Sequence, residues 1–345
     1  MLRLVFRSLC AAVFVLQASA WAEAGPLPQA QAAALAGIAQ DPAPKVLLGQ
    51  APGLENKHYL IGNEWHLELY NDKLKNLGGL YAGVGSDQAY FLIGMVRPEV
   101  AVLTDYDDLV VQLHQIYLAF FRAATTPAGF LKLWSEAGQA DALAALQAHC
   151  PAADLPNLTK LYKVTRGKVG YRLGRVGRTF HAAKVESFVR DPGAYDFIRG
   201  LVVNGRVRAV RIDLLAAVGV PSLAQAAKAM QLPVRALYLS NAENYWAYSS
   251  QFKSNMAALP VDDKSLIVRT VSTWDHNFDY LYHTQPSRNY LAWLAKDWVK
   301  GYRMFVQWKR PEPGQSWAFH TAPDVDSAER MRTAKVKKPK AKSTL

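Results

Sequence analysis

Residues 78–107 read GGLYAGVGSDQAYFLIGMVRPEVAVLTDYD. The run 80–82 is a short apolar strand, 83–87 a turn opened by Gly83-Val84-Gly85, and 88–96 a helical stretch stopped by Pro98. Residues 100–104 form a second apolar strand that runs into Asp105. Strand, glycine turn, helix and strand make one βαβ unit. Glycines let backbone approach a ribose or carboxylate closely, and a helix N-terminus favours negative charge. An acid about 20 residues after the glycines is well placed to accept from ribose hydroxyls. The same residues also fit a tight turn followed by a solvated acid, because a short glycine motif occurs in many unrelated turns.

Outward from this unit, 63–76 and 108–124 carry apolar residues at helical spacing. Further on, 207–215, 234–241 and 265–272 read as strands, and 221–232 as a helix with Pro221 at its start. The segments 302–310 and 315–321 flank PEPG and read as an antiparallel hairpin. The expected fold is α/β, a doubly wound, mostly parallel sheet with a C-terminal antiparallel hairpin. Between 126 and 205 the pattern changes to helical patches, 128–149 and 182–200, around a basic glycine-rich stretch. This reads as a helical insertion lying above the carboxyl ends of the strands.

The strand with GxG, the strand ending in Asp105 and the later strands ending near Asp213 and Asn241 resemble the S-adenosylmethionine-dependent methyltransferase fold. Four segments, GNEWHLEL (62–69), 78–107, VRALYLSNAENY (234–245) and FKSNMAALPVDDKSLIVRT (252–270), more closely resemble an uncharacterised bacterial family with that Rossmann-type fold. The resemblance implies that Gly83 and Gly85 face the methionine part of a cofactor, that Asp105 holds ribose and that Asp213 lies near adenine. It also implies a polar cluster at the strand ends of Asn63, Glu64, Asp87, Gln88, Ser240, Asn241 and Glu243. In it Asp87 and Gln88 are further cofactor-binding candidates, and Ser240, Asn241, Glu243 and Tyr245 could grip an acceptor. Glu243 is the candidate general base. The alternative reading of Asn241 and Glu243 is a cap on the next helix. Two features depart from the pattern: Asp87 stands where a third glycine falls in active methyltransferases, and DYDD follows the second strand where basic residues are usual. Clustered acids disfavour an anionic ligand.

The chain has 345 residues and a net charge of +12, unevenly placed. The first 22 residues carry +2 and residues 329–345 carry +6, leaving +4 for the body. The high charge is therefore largely a terminal effect, and no specific nucleic-acid binding is expected. Residues 1–22 have the layout of a secretory signal, with cleavage after Ala20 or Ala22. The expected mature protein is periplasmic or secreted and has no transmembrane helix. A linker or arm (23–55) then precedes the domain (56–325), and a disordered basic tail (326–345) follows it. Outside the cytosol S-adenosylmethionine is scarce, and a ligand occupies a site only near its Kd. Two functions therefore stand open: a protein binding an adenosyl or other nucleoside ligand, or a scaffold that has lost it.

Residues 155–185 hold eight Lys/Arg and no acid, with aromatics and four glycines interleaved. They could grip an anionic envelope surface, or form a basic hairpin or mobile loop with a solvated face. His276, Asp279 and His283 share one face if 274–283 is helical, a spacing that zinc could use. Without further support they read as surface or cap residues, and no metal is expected.

Overall fold

The computed structural model describes residues 25–47, 53, 55–306 and 314–337. The expected signal at 1–22 lies outside the described residues. Seven strands form one sheet in the order β3-β2-β1-β4-β5-β6-β7. They are β1 (Leu80–Gly83), β2 (Val100–Asp105), β3 (Val207–Arg211), β4 (Val234–Ser240), β5 (Leu266–Ser272), β6 (Tyr280–Pro286) and β7 (Trp317–Phe319). The first five are parallel to one another, and β6 is antiparallel to β5. The order reverses between β1 and β4, the kind of switch point where doubly wound sheets form a crevice.

Alternation along each strand divides the core in two. Tyr81, Leu103, Tyr238, Val268 and Tyr282 face one side. Leu80, Val102, Leu239, Ile267 and Leu281 face the other. Both faces are covered, as a parallel sheet requires. Ten helices are used below: α1 (Gln29–Ala36), α2 (Gln88–Val96), α3 (Asp108–Ala123), α4 (Pro127–Leu133), α5 (Gln139–His149), α6 (Leu155–Ala182), α7 (Pro192–Val203), α8 (Gly219–Ala229), α9 (Ser250–Ala258) and α10 (Ser287–Leu294). A further helix, α11 (Val325–Lys337), follows β7.

Four expectations are corrected here. Among the described residues the antiparallel pair is β5–β6 and β7 lies parallel on β6; residues 307–313 of the expected hairpin lie outside the described residues. Residues 302–304 form a 3-10 turn, and Tyr302, Phe305 and Val306 fill the core instead of a strand. Residues 280–286 are strand β6, so His276, Asp279 and His283 do not share a helical face; a left-handed Phe278 ends the one-turn helix Trp274–Asn277. The basic stretch 155–185 is almost entirely α6, a single helix. Two of its glycines serve close approach: a Cβ at Gly170 would meet the Trp134 carbonyl at 3.1 Å, and one at Gly177 the Val189 side chain at 2.5 Å. Finally, α11 occupies much of the expected disordered tail and is anchored by buried Val325 and a 2.5 Å Lys296–Glu329 ion pair. Residues 338–345 lie outside the described residues.

Helices α4–α7 pack on one face of the sheet around an aromatic cluster, with Phe121 stacked on Phe130 at 4.4 Å and Trp134 tilted against Tyr117 at 4.7 Å. Such pairs add about 0.5–1.5 kcal/mol each beyond their buried area. The arm is docked rather than loose. Leu27, Leu35 and Ile38 are buried against α8 and β3, and Arg208 donates to the carbonyls of Leu35 and Ile38. Among the described residues no helix is long and apolar enough to cross a membrane.

Candidate functional site

A cavity of about 370 Å³ opens at the carboxyl ends of β1–β4. This is within the usual size range of small-molecule sites. The glycine turn forms one side and the acid after β2 another. The segments after β3 and β4 complete the ring, and residues 44–47 and 57–64 close over it. No residue of 126–205 lines the cavity, so the insertion does not sit above it as expected. The insertion instead spends its apolar face on the core beside α2 and α3.

The turn is fixed from three directions. Gly85 has φ +87°, a conformation that costs glycine nothing, and its N–H donates to Asp105 Oδ2 at 3.0 Å. Gln88, the first residue of α2, accepts from the Ser86 N–H at 3.0 Å through Oε1. Burial pushes the His114 imidazole down to about 4, so it is neutral near pH 7. Its Nε2–H donates to the Gly85 carbonyl at 2.8 Å, and Nδ1 accepts from the Tyr90 hydroxyl at 3.0 Å.

Asp105 lines the cavity, and burial raises its carboxyl to about 6. Backbone N–H groups of Gly85, Tyr106 and Asp107 hold it. An ionised carboxylate offers about four acceptor sites, more than these donors use. Asp107 caps α3 through the Leu109 N–H and is paired with His58 Nδ1 at 2.8 Å. Asp213 also lines the cavity, and its Oδ1 accepts from the Leu215 N–H at 2.9 Å. Val110, Ile212, Leu214 and Leu215 add apolar lining to the same cavity.

Glu64 is 1% exposed and sits among donors. It accepts from the Ser240 hydroxyl at 2.5 Å, the Tyr238 hydroxyl at 3.0 Å and Gln88 Nε2 at 3.3 Å. Ser240 adopts φ +49°, unusual for a residue with a side chain, at an irregularity in the β4–β5 register. Asn63, Asn241 and Tyr245 line the cavity beside it.

Three expected site residues lie elsewhere. Gly83 does not line the cavity; a Cβ there would fall 2.5 Å from the Tyr81 hydroxyl, so this glycine serves sheet packing. Asp87 is buried behind the turn. Its Oδ1 accepts from the Gly62 N–H at 2.7 Å, and its Oδ2 pairs with Arg172 Nε at 2.8 Å. Glu243 faces the core, 4% exposed, paired with Arg269 Nε at 2.6 Å and bonded by the Tyr290 hydroxyl at 2.9 Å and by Tyr248. The 3-10 turn Ala242–Asn244 explains this: three residues per turn place 242 and 245 on the cavity side and 243 opposite. Neither Asn241 nor Glu243 caps the next helix, since Ser249 caps α9 by accepting from the Phe252 N–H.

Sequence reasoning missed Asp41. This buried side chain of the arm accepts from the N–H groups of Asp213 and Gly219, both at 3.0 Å, and so sets the loop that carries Leu214 and Leu215. A Cβ at Gly219 would fall 2.3 Å from its Oδ2, so glycine is required there. No local pattern marks such an acid, because its partners are 170 or more residues away. Asp41→Ala leaves two buried N–H groups unsatisfied, and the expected loss is about 2–6 kcal/mol, from about 1–3 per group. Urea unfolding measures it.

A family model described as a domain of unknown function, DUF7790, matches residues 59–321. The chain belongs to this family. The DUF7790 match spans the whole sheet and four sides of the cavity, while Asp41 and the closing residues 44–47 precede it. No curated protein matches the chain.

Proposed function

We propose that the cavity binds an adenosine-type ligand, with S-adenosylmethionine or S-adenosylhomocysteine as the reference compounds, in the manner of the methyltransferase-type fold. One observation carries this reading: Gly85, Asp105 and Asp213, separated by up to 128 positions in the chain, meet around one cavity that Val110, Ile212, Leu214 and Leu215 line with apolar side chains. Asp105 has acceptor capacity for ribose hydroxyls, and Ile212 and Leu214 line the cavity with apolar side chains that can pack against a base. Ser240, Asn241 and Tyr245 face the remainder of the ligand.

The reading is one of binding rather than methyl transfer. Its one candidate base, Glu243, is engaged with Arg269 in the core, and a general base must reach the proton it removes. A scaffold that has lost the ligand is the alternative, and titration separates the two. Isothermal titration with S-adenosylhomocysteine should give saturable heat that Asp105→Ala abolishes. No heat from the folded wild type leaves the scaffold reading.

The reading also fixes a pH dependence. The acceptor form of Asp105 is the carboxylate, which predominates above about pH 6. Apparent affinity scales with the competent fraction, so it should hold above pH 7 and fall about tenfold by pH 5. Affinity unchanged across this range would remove Asp105 as the ribose acceptor.

A further inference from the structure

The longest helix of the protein carries a face that the ligand site does not use. Helix α6 spans 28 residues, about 42 Å at the usual rise. Its inner side is committed to the core through Leu161, Val169, Leu173, Val176 and Phe180. That packing presents the opposite side outward. Along the crest, at spacings of four, four, three, four and three, run Lys160, Val164, Lys168, Tyr171, Arg175 and Arg178, all exposed. No acid occurs between Asp154 and Glu186.

Two features distinguish this row from an ordinary solvated face. Val164 is 64% and Tyr171 62% exposed, so two large apolar side chains stand at the middle of the crest with cations on both sides. Arg175 is also held in place, stacked 3.8 Å over Trp65. Soluble faces of helices keep their crests polar, whereas helices at a lipid interface carry Lys/Arg around a few inserted apolar or aromatic residues.

We propose that this face of α6 docks on an anionic lipid surface. The cations meet headgroup phosphates, Val164 and Tyr171 enter the interface between them, and the helix lies in its plane. The shape favours this partner over a nucleic-acid strand. Strand binders use a basic groove with a series of stacking aromatics, whereas α6 is a convex ridge with one exposed aromatic on its crest. Each Lys or Arg near an anionic bilayer adds an increment that salt screens.

The test is co-sedimentation of the full chain with phosphatidylcholine vesicles, with and without phosphatidylglycerol. The expected result is binding only to the anionic vesicles, weakening as salt is raised. The triple variant Lys160→Glu, Lys168→Glu and Arg178→Glu should lower the partition coefficient about a hundredfold or more while keeping the wild-type melting temperature. Val164→Ser with Tyr171→Ser should weaken binding without altering its salt dependence. Undiminished binding by the folded triple variant overturns the proposal and assigns the contact to the basic segment 329–345. Absence of wild-type binding to anionic vesicles also overturns it, as does stronger, charge-dependent binding to a single-stranded oligonucleotide.

Discussion

Arg172→Met should destabilise the protein by about 3–5 kcal/mol, read as a lower urea midpoint. Arg172 and Asp87 are each 1% exposed, and their 2.8 Å ion pair joins α6 to the glycine turn. Arg172 also donates to the Glu64 carbonyl at 2.6 Å and lies 4.6 Å over the Trp65 ring. Removing it strands a buried carboxylate whose remaining close donor is the Gly62 N–H, because the Ser86 hydroxyl gives its proton to the Leu60 carbonyl at 2.9 Å. The double variant Arg172→Met with Asp87→Asn removes that unpaired charge and should recover a substantial part of the loss. If the single and double variants are equally unstable, the loss arises from packing and not from the isolated charge. Because Asp87 holds the Gly62 N–H, the single variant should also loosen the segment 57–64 over the cavity, visible as faster hydrogen exchange there.

Glu243→Ala should cost a similar amount, about 3–5 kcal/mol, for the mirror-image reason. It leaves Arg269, 1% exposed, without its carboxylate. The other neighbours of the guanidinium are Gln285 at 2.7 Å, the Tyr290 ring at 4.9 Å and His283, which burial and Arg269 push down to about 2 and so keep neutral. None of these supplies a negative charge. Glu243 also organises the wall of the cavity indirectly, since the turn it anchors carries Asn241 and Tyr245. A stable Glu243→Ala protein would contradict this placement and return the residue to candidacy as a base.

The βαβ unit was legible because every signal in it is local: an apolar strand, glycines, an unbroken helical run, and a β-branched strand between Pro98 and Asp105. The cavity residues that follow strand ends, Asp105, Asp213, Ser240 and Asn241, could be placed for the same reason. The signal failed where local composition and tertiary role diverge. Four glycines and seven cations made α6 look like a loop, yet Leu161, Val169, Leu173, Val176 and Phe180 carry a helical period, and Gly170 and Gly177 answer to Trp134 and Val189. Arg172 could not be told from its exposed neighbours, because its partner lies 85 residues away. In 274–283 the spacing of three and four fitted one helix, while only Trp274–Asn277 is helical and pairing with β5 decides for a strand from Tyr280. Glu243 was misplaced by a single 3-10 turn, and Asp41 was invisible without the fold.

The most direct measurement is a crystal structure of the protein grown with S-adenosylhomocysteine. The account predicts ribose hydroxyls within hydrogen-bond distance of Asp105 and the base against Ile212 and Leu214. It also predicts that Glu243 remains paired with Arg269. Crystals grown at saturating ligand that show the cavity empty, or the compound bound elsewhere, would contradict it.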